Sequence, residues 1–407
     1  MEHTVLSRRR LLGLVGAAAT LPVLSACGST VGGGATAPAA GGAGGVIKVG
    51  LVVPQSGVYA ALGTDMQRGW DLWLGSNGGV FGDYTVETIV ADEGETPQSG
   101  VPAVQRVLQQ DAVDVVVGLV NSATALGVKD LLTESRKLLV VTNAGAGALT
   151  GPERTPYIWR TSFTNAQVAG AMGTYLAETG LADGVYVIAP DYAAGTEVIE
   201  GFGAACTAGG GTIAGEAKTP FGTTSDYQPF LSTIQGSDAT ATFCFFSGAE
   251  AITFVQQYQQ FGLADTIPLY GSGFLTEGSV LPQQGAAALG VRTTLHYTDQ
   301  LDNPANTAFV EAYTAGYGES PSTFAVQTWD AANVLNRALA SATALDGDSL
   351  AIALGGIGAV DDSPRGPWEF DGQTPRQNIY LRTVEDNGGT LVNAIVEDLG
   401  PQSQPAA

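Results

Sequence analysis

The chain alternates short apolar stretches with longer helical ones, and the same alternation occurs twice. Four short runs of mainly apolar residues are predicted as strands in the first half: residues 47–54, 84–91, 115–119 and 138–141. The second series starts at Val185 and ends near Tyr270, with corresponding elements about 130 residues apart. Alternating strands and helices form parallel sheets with helices on both faces. The pattern therefore predicts an α/β protein built from two lobes of one topology.

The remainder of the chain is predicted to complete both lobes rather than to form a third domain. It is predicted to contain a strand, three helices and a final set of strands, at 290–297, 306–317, 328–342, 348–354, 368–370 and 379–396. Because the chain would then pass between the lobes three times, we predict a multi-strand hinge. The predicted boundaries are 46–162 with 298–355 for lobe 1, and 163–297 with 356–400 for lobe 2.

The turn after the third predicted strand has the composition of an anion site. Asn121, Ser122 and Thr124 follow the strand, and residues 125–135 are predicted to be helical. The first backbone N–H groups of a helix lack partners within the helix, and the helix dipole favours negative charge there. Ligands of open α/β sheets also bind at the carboxyl ends of strands, so this turn is predicted to bind a carboxylate. The alternative is a helix capped by Asn121 or Ser122 without any ligand.

The N-terminus has the features of an export signal. Three arginines at 8–10 precede an apolar run, which ends in Leu24-Ser25-Ala26-Cys27, a sequence that resembles a bacterial lipobox. We therefore predict a signal peptide over 1–26, lipidation of Cys27, and a flexible Gly-rich tether over 27–45. The alternative for Cys27 is an ordinary thiol. A lipidated cysteine would anchor the protein to the outer face of the cytoplasmic membrane.

Composition and motifs argue against nucleic-acid binding and against catalysis. The formal net charge is −22, whereas phosphate binding requires clustered Lys and Arg. The two histidines are His3 and His296, and neither a G-x-S-x-G motif nor a P-loop occurs. Cys206 and Cys244 are predicted to be buried free thiols, with a disulfide between them as the alternative. The sequence thus predicts no catalytic residue, no metal site and no cofactor.

Several blocks of the sequence together resemble a known family. The blocks are IKVGLVVPQSGVYAALGTDMQRGWDLWL, DAVDVVVGLVNSATALGV, PYIWRTSFTNAQVAG and LDNPANTAFVEAYTAGYGESPSTFAVQTWDAANVL. They resemble the leucine/isoleucine/valine-binding type of extracellular solute-binding protein, which has the type I periplasmic-binding fold. The resemblance runs from about residue 46 to about residue 398. It implies a monomeric, two-lobed receptor that closes on one small solute and delivers it to the permease subunits of a bacterial ABC importer.

The resemblance also implies a set of ligand contacts. In the family, the turn matching 121–124 binds the ligand's carboxylate, which assigns this role to Ser122 and Ala123, with Asn121 and Thr124 beside them. The loop after the next strand implies further contacts from Asn143, Ala144 and Gly145, although relatives usually have Thr at the position of Gly145. A Tyr-x-x-Gly turn of the second lobe implies that Tyr192 closes on the ligand.

One departure from the family pattern leaves the ligand class open. Relatives that bind leucine carry an acidic residue, paired with the ligand's ammonium group, where this chain has Gly271-Ser272-Gly273-Phe274. Either Glu277 replaces that acid, or the ligand carries no ammonium group. Tyr59, Phe246 and Phe274 are candidates for an apolar or aromatic pocket. We favour a small carboxylate such as a branched-chain amino acid, with an aromatic acid, a short amide or urea as alternatives. A ligand-sensing receptor that is not coupled to transport is the other alternative.

Overall fold

The computed structural model describes residues 44–152 and 154–405. The predicted signal peptide, Cys27 and most of the predicted tether lie outside the described residues. The strands of the described residues form two sheets, each of which is mainly parallel.

The first sheet comes from the N-terminal part of the chain. Its strands are β1 (Gly45–Val53), β2 (Val80–Phe81), β3 (Tyr84–Asp92), β4 (Val115–Gly118), β5 (Leu138–Val141) and β6 (Ile158–Arg160). Their spatial order is β2-β3-β1-β4-β5-β6, and only β2 is antiparallel to its neighbour. Strands β4 and β5 are buried along their whole length, which explains their nearly continuous Val and Leu content.

The second sheet combines the middle of the chain with its C-terminal part. Its strands are β7 (Asp183–Pro190), β8 (Thr212–Thr219), β9 (Ala241–Cys244), β10 (Leu269–Ser272), β11 (Arg292–Leu295), β12 (Glu369–Asp371), β13 (Thr374–Asn387) and β14 (Thr390–Gln402). The order β12-β13-β11-β10-β9-β7-β8 is parallel from β11 to β8, whereas β13 is antiparallel to β11, β12 and β14. The C-terminal hairpin therefore completes this sheet.

Helices connect and cover the strands. They are α1 (Ala60–Ser76), α2 (Pro97–Gln109), α3 (Ser122–Gly127), α4 (Lys129–Ser135), α5 (Asn165–Glu178), α6 (Ala193–Ala208), α7 (Gln228–Gln235), α8 (Gly248–Gln260), α9 (Val280–Gln284), α10 (Pro304–Tyr317), α11 (Thr323–Leu339) and α12 (Gly347–Gly355). The single helix predicted after β4 is in fact α3 and α4, which are separated at Val128.

Helix α11 packs on α1, which brings the C-terminal third of the chain back to the first sheet. Met66, Trp70 and Trp73 form the buried face of α1, as their helical spacing predicts. At Gly69 the two helices approach so closely that a Cβ atom would lie 2.1 Å from the carbonyl oxygen of Ala325. Glycine at this position therefore permits the contact.

The chain crosses from one sheet to the other after β6, after β11 and again before β12. Gln373, which precedes β13, holds two crossings together: its amide nitrogen donates to the carbonyls of Thr155 and Ile158, both at 2.7 Å, and its own carbonyl accepts from Arg160 N–H at 3.0 Å. These contacts connect the β6 edge of the first sheet to the β12–β13 edge of the second. The residue boundaries given above for the two lobes stay a prediction.

Candidate functional site

A small cavity of about 20 Å³ lies where the carboxyl ends of strands from both sheets meet. Segments after β1, β4 and β5 form one side, and segments after β7, β9 and β10 form the other. Residues between β6 and α5 complete the wall. The lining residues are Tyr59, Val120, Ser122, Asn143, Gly145, Phe163, Asn165, Tyr192, Ala194, Phe245, Ser247 and Phe274. The location agrees with the rule that open α/β sheets bind ligands at the carboxyl ends of their strands.

Five aromatic side chains line this cavity. The rings of Phe163 and Phe274 lie 4.6 Å apart, and Phe245 meets Phe274 edge-on at 6.2 Å. Tyr192 is parallel to Phe245 at 6.3 Å. Flat, polarisable walls of this kind bind planar apolar groups well, because aromatic pairs gain stabilisation beyond the burial of their area.

Two tyrosines connect the two sides of the cavity. The hydroxyls of Tyr59 and Tyr192 lie 2.9 Å apart, and burial raises the pKa of both well above the usual value, so both stay neutral at physiological pH. Beside them, Gly248 has a φ of +58°, and a Cβ atom there would lie 2.1 Å from the carbonyl oxygen of Val58. The first turn of α8 therefore touches the loop after β1, and the two sides are in direct contact at this edge.

The polar part of the lining consists of neutral groups. Asn143 donates to Gln327 Oε1 at 3.1 Å, and Asn165 donates to Glu197 Oε2 at 2.8 Å. Asn165 Nδ2 also lies 3.5 Å from Ser122 Oγ. Among the lining residues, which all belong to the described part of the chain, none is acidic or basic. A charged ligand would therefore meet hydroxyl, amide and backbone groups rather than a charged side chain in this wall.

The turn after β4 is arranged differently from the predicted carboxylate seat. Asn121 caps α3, with its Oδ1 accepting from the N–H groups of Ala123 at 2.8 Å and Thr124 at 3.1 Å. The buried carboxylate of Glu93 accepts from the N–H groups of Val120 at 2.7 Å and Asn121 at 2.9 Å. The N–H groups of Val120, Asn121, Ala123 and Thr124 are thus used within the protein, and of the two residues predicted to donate to a ligand this applies to Ala123. The structure shows the cap by Asn121, and ligand binding at this turn stays a prediction.

Of the four residues in that turn, only Ser122 lines the cavity. Thr124 is fully buried and lies against Gly100 of α2, where a Cβ atom would be 2.4 Å from the threonine methyl group. Neither Thr124 nor the N–H of Ala123 is available to a ligand in this arrangement. Thr124 is buried by a tertiary contact with α2, whereas the N–H of Ala123 is taken locally by the Asn121 cap.

The loop after β5 brings one predicted residue to the cavity and buries another. Gly145 lines the cavity, whereas Ala144 donates its N–H to the carbonyl of Leu119 at 2.9 Å and is 1% exposed. A Cβ atom on Gly145 would lie 2.3 Å from Asn165 Oδ1 and 2.6 Å from the ring of Phe163. Those two side chains occupy the space that the family's usual threonine would need.

Phe246, which was predicted to contact the ligand, does not line the cavity, whereas its neighbour Phe245 does. Side chains alternate between the two faces along and just beyond β9, so Phe245 faces the cavity and Phe246 faces the opposite core. Phe246 stacks on Phe254 at 4.4 Å and meets Tyr227 edge-on at 5.3 Å. Alternation along ATFCFF was the signal that would have distinguished the two phenylalanines.

Glu277 does not replace the acidic residue that is missing from this chain. Its carboxylate is buried and forms an ion pair with Arg382 at 2.8 Å, and it accepts from Thr323 N–H at 2.7 Å. It lines a separate groove, together with Asp65 and Asp299, rather than the aromatic cavity. Burial raises the pKa of Glu277, and the charge of Arg382 opposes that rise.

Gly273 supports this ion pair rather than the cavity. Its carbonyl accepts from Arg382 Nη2 at 2.9 Å, and a Cβ atom there would lie 2.4 Å from Leu295. The remaining predicted residues, Tyr59, Tyr192 and Phe274, lie together in the cavity wall. The residues that the sequence did not suggest are Val120, Phe163, Asn165, Ala194, Phe245 and Ser247.

Other predictions concern the chemistry of the chain outside the cavity. Cys206 and Cys244 are buried free thiols, as predicted. Within residues 44–152 and 154–405, no group of three or more His, Cys, Asp or Glu residues is placed to hold a metal ion. In the same ranges no helix has the length and apolar character to cross a membrane.

Comparison with known proteins gives consistent results over most of the chain. The periplasmic binding protein family model matches residues 46–389. The Leu/Ile/Val-binding protein homolog 6 of Brucella melitensis is 31% identical, over 86% of this chain and 91% of the relative.

Solved structures of solute-binding proteins are also similar. One from Rhodopseudomonas palustris, an ABC transporter solute-binding protein in complex with benzoate, is 34% identical over 88% of this chain and 97% of its own, with a TM-score of 0.81. Another, a solute-binding protein of an ABC transporter from Rhodopseudomonas palustris BisB5 in complex with 3,4-dihydroxybenzoic acid, is 32% identical. The match covers 88% of this chain and 99% of the other, with a TM-score of 0.83. The predicted fold class is thereby confirmed. This chain belongs to the periplasmic binding protein family, whose members are extracytoplasmic solute-binding proteins and not enzymes.

Proposed function

We propose that this protein is the solute receptor of an ABC importer and that its ligand is a small aromatic carboxylate of the benzoate type. The observation that carries this proposal is the cavity wall, which contains five aromatic residues and no acidic one. The similar structures that hold benzoate and 3,4-dihydroxybenzoic acid support the same ligand class for this chain. In this role, closure of the two sides around the ring sequesters the solute until it reaches the permease subunits.

The polar lining suits the carboxylate end of such a ligand. Ser122, Asn165 and the backbone of Gly145 lie together on one side of the cavity, close to the ring of Phe163. The Ser122 hydroxyl and a backbone N–H bind a carboxylate through charge-assisted hydrogen bonds. Phe245 and Phe274 then face the ring.

A branched-chain amino acid fits this cavity less well. Its ammonium group requires a carboxylate or several acceptors, because an unpaired buried charge costs several kcal/mol. Glu277 is paired with Arg382 outside the cavity, and the lining contains no acid. The absence of a partner for the ammonium group therefore favours a ligand without one.

Isothermal titration calorimetry of the purified protein tests this proposal. The ligand panel is benzoate, 4-hydroxybenzoate and 3,4-dihydroxybenzoate, with leucine, isoleucine, valine and urea for comparison. We expect at least one aromatic acid to bind and to stabilise the folded protein by about 2.7 kcal/mol at a concentration of about 100 times Kd. Tighter binding of leucine, isoleucine or valine than of every aromatic acid would contradict the proposed ligand class.

We also propose that the protein is a monomer anchored to the membrane by a lipid on Cys27. The support for the anchor is the order of basic residues, apolar run and lipobox-like Leu24-Ser25-Ala26-Cys27. Cys27→Ser is expected to move the protein from the membrane fraction to the soluble fraction of the cells that export it, while the Cys206→Ser control stays with the membrane. A Cys27→Ser variant that remains in the membrane fraction would contradict the anchor.

A further inference from the structure

Arg160, at the end of β6, is a fully buried cation without a buried anion beside it. Its guanidinium donates to three backbone carbonyls: Ala146 at 2.6 Å, Phe163 at 2.7 Å and Ala144 at 3.2 Å. Its Nε has no hydrogen-bond partner. Within the described ranges, no carboxylate oxygen lies within 4.0 Å of its side-chain nitrogens.

The other two buried arginines of the described residues are paired, which makes Arg160 distinct. Arg365 forms an ion pair with Asp330 at 2.9 Å, and Arg382 forms one with Glu277 at 2.8 Å. A buried charge without a counter-charge is costly, so structures keep one only where something compensates for it. Burial lowers the pKa of Arg160 to about 9, opposed by the charge of Glu197, so its side chain is still protonated at neutral pH.

The hydrogen bonds from Arg160 to these carbonyls fix the direction of the neighbouring backbone N–H groups. In a planar trans peptide the N–H points opposite to the C=O. Because the carbonyls of Ala144 and Ala146 point at the guanidinium, the N–H groups of Gly145 and Gly147 point away from it. The N–H of Gly147 already holds an anion, since it donates to both carboxylate oxygens of Glu197, at 3.1 and 3.3 Å.

The equivalent N–H on the neighbouring peptide belongs to Gly145, which lines the aromatic cavity. We propose that Arg160 is the positioning residue for the ligand's carboxylate: it orients the 144–145 peptide so that Gly145 N–H donates to the carboxylate, and its buried charge is balanced by the ligand through that one peptide unit. This inference rests on the proposed aromatic-acid function. It explains how a cavity wall without a charged side chain can select an anion.

The experiment compares a carboxylate with its neutral amide. Benzoate and benzamide have nearly the same shape, but only benzoate carries a charge, so their affinity ratio reports the electrostatic contribution of Arg160. We expect the wild-type protein to prefer benzoate. We expect Arg160→Met to reduce that preference by about tenfold to fiftyfold, as for a unit charge one peptide away at an effective dielectric constant of about 20. Arg160→Lys, which keeps the charge, should restore part of the preference.

A purely structural role for Arg160 predicts something different. Loss of the loop's shape in Arg160→Met would weaken benzoate and benzamide by similar factors, and an unchanged ratio would overturn the positioning role alone. If the protein prefers ligands with a ring hydroxyl, the same affinity ratio is measured with hydroxybenzoates and their amides. If no aromatic acid binds the wild-type protein, the proposed function fails, and this role fails with it.

A second measurement does not require Arg160→Met to fold. Wild-type protein that binds benzamide as tightly as benzoate would overturn the inference without any variant.

Glu197→Gln removes the one anion that shares this charge, while its amide oxygen can still accept from Asn165. We expect this variant to raise the preference for benzoate by about twofold to fivefold. An unchanged or lowered preference in the folded variant would contradict the proposed electrostatic role.

Discussion

Glu277→Ala is expected to lower the free energy of unfolding by about 3–5 kcal/mol, because it leaves Arg382 buried and unpaired. In the folded protein Arg382 is fully buried, pairs with Glu277 at 2.8 Å and donates to the carbonyls of Tyr297 and Gly273. In the wild-type protein the N–H of Thr323 also donates to this carboxylate, at 2.7 Å. Removal of the carboxylate leaves that N–H without its acceptor. Urea unfolding monitored by circular dichroism measures this loss of stability.

Glu319→Ala is the matched control for this experiment. Glu319 lies on the same groove and also pairs with an arginine, Arg68, but its side chain is 48% exposed. Exposed ion pairs contribute about 0–1 kcal/mol, so the control should lose little stability. The affinity of folded Glu277→Ala for benzoate should stay within about twofold of wild type, since Glu277 lies outside the cavity. A folded variant of normal stability that no longer binds ligand would mean that Glu277 contacts the ligand after all.

The second large effect separates two neighbouring phenylalanines. Phe246→Ala is expected to lower the free energy of unfolding by about 3–5 kcal/mol, because it opens a hole in a core where the ring stacks on Phe254. Phe245→Ala removes a wall of the ligand cavity, and we expect it to weaken benzoate binding by about tenfold to a hundredfold. Calorimetry for affinity and urea unfolding for stability are measured on both variants.

The two variants are each other's control, since they remove the same side chain one residue apart. Phe245→Ala should also lose some stability, because Phe245 is 5% exposed in this closed arrangement. The contrast lies in affinity, which folded Phe246→Ala should keep near the wild-type value. Equal losses of affinity in the two variants would contradict the assignment of Phe245 to the cavity and Phe246 to the core.

Much of the site followed from one regularity of the sequence. Because β-α units repeat, the ends of the strands can be located from apolar runs and the polar turns after them. Tyr59, Ser122 and Phe274 were predicted from such positions, and the family resemblance added Gly145 and Tyr192; all five line one cavity. Strand ends of a parallel sheet share one edge, so residues far apart in sequence come together there without any further information.

Other residues of the site could not be found in this way. Phe163 lies between β6 and α5, and Asn165 is the first residue of α5; neither an apolar run nor a motif indicates a ligand contact there. Phe245 was missed because the alternation of β9 was not followed past the end of the strand. That error concerned one residue and changed the face on which the ring lies.

The sequence alone determined the two-sheet architecture, the edge of the sheets that carries the site and the candidates Tyr59 and Phe274, because apolar runs locate the strands and their ends. Tyr192 followed from the family resemblance. Only the tertiary structure decided which polar groups are free to bind a ligand. The N–H groups of Val120 and Asn121 are taken by Glu93, and the acid at Glu277 is taken by Arg382. Arg160 has no such anion beside it. Hydrogen-bond partners of this kind come from residues distant in the chain, so a sequence pattern that locates a donor does not show whether another part of the fold already satisfies it.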